Sequence, residues 1–76
     1  MELAVDGWDR PRMLEDLSRA VAEAGANIVS AVCSVDDQMA RTRFTVEIGE
    51  IEGLRQLISS LRNVDGVFDA YRVIPG

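Results

Sequence analysis

Residues 40–48 read Ala-Arg-Thr-Arg-Phe-Thr-Val-Glu-Ile, and every second side chain from Ala40 to Ile48 shares one face while the arginines lie on the other. Alternation with a period of two predicts a β-strand that buries one of its faces. The preceding strand-like stretch, residues 28–35, is separated from it by the turn-forming residues 36–38. Together the two stretches predict a β-hairpin.

Two amphipathic helices are predicted on either side of this hairpin. The first begins near Pro11, which suits the first helical turn, and ends before Gly25, which suits the position just past a helix end. Its predicted apolar stripe consists of Leu14, Leu17, Val21 and Ala24, with Met13 and Ala20 beside it. The second helix follows Gly49, and its predicted stripe is Ile51, Leu54, Leu57, Ile58 and Leu61.

Short strands are also predicted at residues 2–6, before Gly7, and at residues 67–74, before a loose end at Pro75 and Gly76. The order is then β-α-β-β-α-β. The right-handed crossover rule makes this an α+β, ferredoxin-like fold, with a four-stranded antiparallel sheet and both helices on one face.

The second strand, residues 28–35, lies at an edge of the sheet in this topology. It is apolar on both parities, from Ile28 and Val29 to Val35, so it is buried on both faces or carries a β-bulge. An apolar edge without proline is a template for pairing. We expect either a homodimer through this edge strand or coverage of the edge by the rest of a larger protein.

The composition excludes most catalytic chemistry. The 76 residues include no histidine, which is the commonest general base and metal ligand, and only one cysteine, Cys33. Asp36 and Asp37 are expected to form a turn rather than to bind a metal. We therefore expect no catalytic residues, no metal and no cofactor. Without a signal peptide or a long apolar stretch, we expect a cytoplasmic protein that does not bind a membrane.

A net charge of −5 argues against a free-standing nucleic-acid-binding protein, which usually carries a basic face. Arg41 and Arg43 project from one strand face and form either a small basic patch or an ordinary solvated surface. Trp8, before the first helix, either covers a ligand or has a structural role, and we favour the second interpretation.

Three segments resemble a known family. Residues 9–14, Asp-Arg-Pro-Arg-Met-Leu, and Asn27-Ile28 resemble the first half of an ACT domain. Residues 67–73, Val-Phe-Asp-Ala-Tyr-Arg-Val, resemble the C-terminal ACT domain of long Rel/SpoT-type (p)ppGpp synthetase/hydrolases, particularly actinobacterial ones. The resemblance implies that residues 1–76 are one ACT domain from the C-terminus of a larger protein.

The resemblance also implies a function. The module is a non-catalytic regulatory domain of a GTP pyrophosphokinase and ppGpp hydrolase, acting in stringent-response control through ligand sensing, self-association or both. To the second copy expected from the edge strand, the resemblance adds other domains of the parent enzyme and a branched-chain amino acid as partners. The alternative is a module that contacts the ribosome, with ribosomal RNA bound only in the full-length protein.

An amino-acid site is expected between the first loop and the start of the second strand. Its candidate residues are Asp9, Arg10, Arg12, Met13, Leu14, Asn27 and Ile28. Arg12 stands where amino-acid-binding ACT domains usually have a glycine that lets the backbone approach a ligand. The larger side chain predicts weak binding or none.

Overall fold

The computed structural model describes residues 1–74, and it confirms the fold predicted from the sequence. The elements follow in the order β1 (Glu2–Trp8), α1 (Met13–Glu23), β2 (Asn27–Asp36), β3 (Met39–Glu47), α2 (Ile51–Arg62) and β4 (Val67–Val73). The strands form one antiparallel sheet in the order β2-β3-β1-β4. Pro75 and Gly76, the predicted loose end, lie outside the described residues.

The hairpin of β2 and β3 closes through a two-residue turn. Asp37 and Gln38 both have positive φ values, 49° and 70°, and Asp36 pairs with Met39. Positive φ at both central residues is what a type I′ turn requires, and its twist matches that of the strands. The predicted hairpin is thus confirmed.

The core lies between the helices and one face of the sheet. Its largest fully buried side chains include Leu3, Leu17, Phe44, Leu57 and Leu61. Neither helix among residues 1–74 is long and apolar enough to cross a membrane.

The prediction that Leu14 and Ile51 belong to the buried stripes of the two helices was wrong. Leu14 is 46% exposed and Ile51 is 77% exposed, whereas Met13 is only 5% exposed. α1 begins at Met13, one residue before Leu14, and α2 begins at Ile51 itself. Both residues therefore lie in the first turn of their helix, where no preceding turn defines the buried face. Met13 takes the buried place because its Cε fits beside Gly7 and Gly66, where neither residue has a Cβ.

The first strand continues through Gly7 to Trp8, so the prediction that Gly7 ends it was wrong. A Cβ at Gly7 would lie 2.6 Å from the carbonyl oxygen of Gly66. The glycine is therefore needed inside the strand, where it allows close approach of the turn that leads into β4.

The edge position of β2 and its β-bulge are confirmed. The pairing with β3 shifts between Ile28 and Ser30, which leaves Val29 as the extra residue. Ile28 is half-buried and packs against the core, while every other residue of β2 is exposed. Apolar residues occupy both alternating sets of β2 positions, but the strand is not buried on both faces. The bulge shifts the alternation after Ile28, and the rest of the strand is an uncovered edge.

Candidate functional site

The first loop, residues 9–12, is held in place by Arg10. Its Nε donates to the Asp65 carbonyl at 2.7 Å, and its Nη1 donates to the Pro11 carbonyl at 2.9 Å. Its Nη2 forms an ion pair with Asp16 Oδ2, also at 2.9 Å. These three contacts join the loop to α1 and to the turn before β4. The loop is thus preorganised, and the charge of Arg10 is already used within the chain.

Arg12 occupies a backbone conformation that favours glycine. Its φ is 65° and its ψ is 13°, in the left-handed region, and it precedes α1 without a side-chain capping hydrogen bond. Left-handed backbone costs a residue with a Cβ about 1 kcal/mol or more. A glycine at this position therefore has a conformational reason as well as the ligand-approach reason given above.

The chain does not bring all seven predicted ligand residues together. Asp9, Arg10, Arg12 and Leu14 lie at or beside the first loop. Met13 is buried in the core, where it has no access to a ligand. Ile28 and Asn27 belong to the start of β2, and the Asn27 amide donates to Glu47 Oε1 at 3.2 Å.

The sheet register shows why these two groups are apart. Trp8, just before the loop, pairs with Met39 at the start of β3, whereas Asn27 pairs with Glu47 at its end. Met39 and Glu47 are about 26 Å apart at the rise of an extended strand. The first loop and Asn27 therefore lie at opposite ends of the same sheet, and one chain alone does not form the predicted site.

The open face of the sheet, opposite the helices, carries ordered ion pairs. Arg41 donates to Asp6 through Nε at 2.7 Å and Nη2 at 3.4 Å, and the Tyr71 hydroxyl donates to the same carboxylate at 3.4 Å. The pKa of the Arg41 guanidinium is raised, chiefly by the hydrogen bond to Asp6 and secondly by the negative charge of that carboxylate. Arg43 lies 3.6 Å from Glu2. Both arginines thus face carboxylates of β1, which agrees with the ordinary solvated surface rather than with a basic patch.

At the hairpin end of the open face, Asp36, Met39 and Trp8 align across three strands, and Phe68 of β4 follows next to Trp8. We call these four residues the hairpin-end row. The Trp8 and Phe68 rings meet edge to face, with centroids 4.7 Å apart and an interplanar angle of 79°. Both side chains are about half exposed.

Two cavities lie outside the predicted ligand loop. A shallow one of about 310 Å³ adjoins the hairpin-end row and is lined by Asp6, Ser34, Asp36, Met39, Ala40 and Arg41. A groove of about 650 Å³ runs between the outer sides of α1 and α2, from Asp16 to Asp65. None of the seven predicted ligand residues lines either cavity.

Comparison with known families identifies this architecture. The family model for the ACT domain matches residues 1–72. The chain belongs to the ACT domain family. The resemblance inferred from residues 9–14, 27–28 and 67–73 is thus confirmed, and with it the assignment of the chain as a regulatory domain.

The relatives of this ACT domain are long (p)ppGpp enzymes. It is 44% identical over 72 residues to a bifunctional (p)ppGpp synthase/hydrolase, RelA, of Mycobacterium tuberculosis, covering 93% of this chain and 10% of that protein. A GTP pyrophosphokinase of Streptomyces antibioticus is 39% identical over 75 residues, covering 97% and 9%. The chain thus spans about a tenth of the length of the curated relatives it matches.

A solved structure agrees with the fold of this ACT domain. The ACT domain of a GTP pyrophosphokinase from Chlorobium tepidum has a TM-score of 0.84, covers 95% of this chain and 94% of its own, and is 22% identical. At that identity the likeness concerns the fold alone.

Sequence reasoning missed the aromatic pair of this ACT domain. Trp8 was assigned to a loop, and Phe68 to a regular strand. The register of β1 and β4 shifts between Asp6 and Gly7, so Phe68 has no counterpart on β1 and lies beside Trp8. A bulge between strands so distant in sequence leaves one local signal, the glycine at position 7, because glycine inside a strand often marks a bulge.

Proposed function

We propose that this ACT domain regulates a bifunctional (p)ppGpp synthetase/hydrolase of which it forms the C-terminal part, and that it acts in stringent-response control. The observation that carries the proposal is the 44% identity over 72 residues to a synthase/hydrolase ten times as long. The domain has no histidine, so it offers no Cys/His or Ser/His nucleophile–base pair. Its effect on activity is then conformational and not chemical.

Self-association through β2 is the first part of the mechanism. Beyond the bulge, β2 pairs with β3 regularly from Ser30 to Asp36, and its other side is the free edge of the sheet. Val32 and Val35 on this strand are more than half exposed. Pairing of two such edges joins two four-stranded sheets and satisfies the outward backbone groups of both strands.

Ligand sensing is the second part, and it depends on the first. If two copies pair antiparallel about Cys33, Ser30 of each copy faces Asp36 of the other. Asn27 of the second copy then lies just beyond the turn, whose Gln38 carbonyl accepts the Asp9 amide at 2.7 Å. The dimer thus joins the two halves of the predicted amino-acid site, which a single chain keeps at opposite ends of its sheet.

Different residues of this composite site suit the different chemical groups of an amino-acid ligand. The N-terminus of α1 has no side-chain cap at Arg12. The Met13 amide donates to the Arg10 carbonyl at 3.3 Å, so the remaining first-turn amides and the positive dipole end suit a carboxylate. Asn27 of the second copy offers a donor and an acceptor, and exposed Leu14 offers an apolar contact for a branched side chain. A ligand that binds only the dimer shifts the population of the parent enzyme toward the dimer.

The test uses Ala31→Lys in the full-length parent protein, with Ala22→Lys as the matched control. Ala31 is exposed on the β2 edge, whereas Ala22 is exposed on α1. We expect Ala31→Lys to raise the dimer dissociation constant of the isolated domain at least about ten-fold. We also expect it to change the ratio of synthetase to hydrolase activity in the parent.

Sedimentation measures the first effect, and turnover of GTP with ATP and of ppGpp measures the second. The control variant should behave as wild type in both. A domain that is monomeric at high concentration, or a parent whose activities are the same in all three forms, would contradict the proposal.

A further inference from the structure

The hairpin-end row exposes an ordered aromatic pair that the core does not require. Trp8 is 51% exposed and Phe68 is 49% exposed, yet their rings are fixed edge to face against each other. Met39 extends the same apolar surface and is 45% exposed. Tryptophan, phenylalanine and methionine are enriched in protein interfaces, and tryptophan is frequent among the residues that contribute most to binding.

Unpaired carboxylates surround this surface. Asp36 belongs to the row, Asp37 follows it in the turn, and Asp9 follows Trp8. None of these three forms an ion pair within residues 1–74. The arginine on the neighbouring row, Arg41, is occupied by Asp6 at 2.7 Å. The hairpin end is therefore an apolar surface with a negative rim, in a chain whose net charge is −5.

The cavity of about 310 Å³ beside the row has a matching chemistry. Met39 forms an apolar side of it, and Asp36 supplies a carboxylate that forms no ion pair within residues 1–74. Arg41 also lines the cavity, but its charge is balanced by Asp6 at 2.7 Å. A lysine or arginine side chain has the same two parts, an apolar stem and a cationic head. A stem lying along Met39 would place the cationic head beside Asp36.

We propose that the hairpin-end row binds a basic peptide segment of a polypeptide partner. One cationic side chain of the segment enters the cavity toward Asp36, and a neighbouring apolar side chain covers Trp8 and Phe68. The negative rim repels both the phosphates of RNA and a second copy of this chain docking through the same face. This surface shares Asp36 with the β2 edge proposed for dimerisation: the backbone of Asp36 takes part in that pairing, and its side chain belongs to the open face.

Trp8 is the one tryptophan of the chain, so its fluorescence reports on this surface directly. The probe is a capped peptide, Gly-Leu-Arg-Leu-Arg-Gly, and its control has glutamate in place of arginine. We expect a saturable fluorescence change with the arginine peptide that weakens as salt is added, and none with the glutamate peptide. Asp36→Asn should weaken binding about five-fold, the effect of about 1 kcal/mol.

The matched variant Glu52→Gln removes an exposed carboxylate from the first turn of α2 and should leave the affinity unchanged. Phe68→Ser, followed through amide shifts, should weaken binding at least as much as Asp36→Asn. Absence of saturation would overturn the proposal. Equal losses of affinity in Asp36→Asn and Glu52→Gln would also overturn it, because they would indicate general charge attraction. A rise in molecular mass without peptide that Phe68→Ser abolishes would overturn it as well, because a second copy would then occupy the surface.

Discussion

The two edges of the sheet, β4 and β2, differ in how their backbone groups are protected. At Ala70 of β4, the amide donates to Asp69 Oδ1 at 2.9 Å and the carbonyl accepts from Arg62 Nε at 3.2 Å. On β2, no side chain among residues 1–74 forms a hydrogen bond to the strand's backbone. The β4 edge is thus protected at Ala70 by the side chains of Asp69 and Arg62, whereas the β2 edge has no such protection.

This difference indicates which edge of the sheet, β2 and not β4, is available for pairing with another chain. Charged side chains along an edge and a covering helix are the usual protection against strand pairing. β4 has charged side chains at its edge, since Arg62 of α2 and Asp69 lie 3.4 Å apart as an ion pair beside Ala70. β2 has only the bulge at Val29, which interrupts its first residues and leaves Ser30 to Asp36 regular.

The largest expected effect concerns the attachment of β4. In Gly7→Ala the new Cβ would lie 2.6 Å from the Gly66 carbonyl oxygen, so β1 and the turn before β4 must separate. We expect a loss of about 3 kcal/mol in the free energy of unfolding, measured with urea. Gly49→Ala, where the Cβ meets no atom within 4 Å, should stay within about 0.5 kcal/mol. Equal effects of the two variants would contradict the account of Gly7.

A smaller effect is expected on opening the β4 edge. Arg62→Ala removes the hydrogen bond to the Ala70 carbonyl and should cost about 1 kcal/mol in the free energy of unfolding. Hydrogen exchange should accelerate in the outer half of β4 and not in β3. Arg55→Ala, an exposed arginine of the same helix, is the control. If both arginine variants behave alike, side chains do not protect this edge.

The smallest effect concerns the first loop, residues 9–12, which forms one half of the amino-acid site proposed for the β2-paired dimer. Arg12→Gly relieves a residue at φ 65° and should raise the free energy of unfolding by up to about 1 kcal/mol, reduced by the greater freedom of glycine in the unfolded chain. It should also strengthen valine binding, followed by amide shifts at Asp9 and Asn27. Tight valine binding to the unmodified domain, with shifts elsewhere, would contradict the site.

The sequence predicted the sheet and its edge because both depend on local patterns. The alternation in residues 40–48 and the glycines near helix ends act within a few residues. The buried faces of the first helical turns were mistaken at Leu14 and Ile51, since they depend on which strand lies beneath. The Trp8–Phe68 pair and the separation of Asn27 from the first loop both arise from pairing between distant strands. No local pattern encodes them.

The bulge at Val29 has a consequence for how this domain changes over generations. Ile28 is the last side chain of β2 that packs against the core, and everything from Ser30 to Asp36 is exposed. Substitutions in that stretch therefore have little effect on folding, provided the strand conformation is kept. Selection for a particular assembly can act on these residues almost independently of selection for stability. Related enzymes can thus acquire different partners at this edge while retaining the same core.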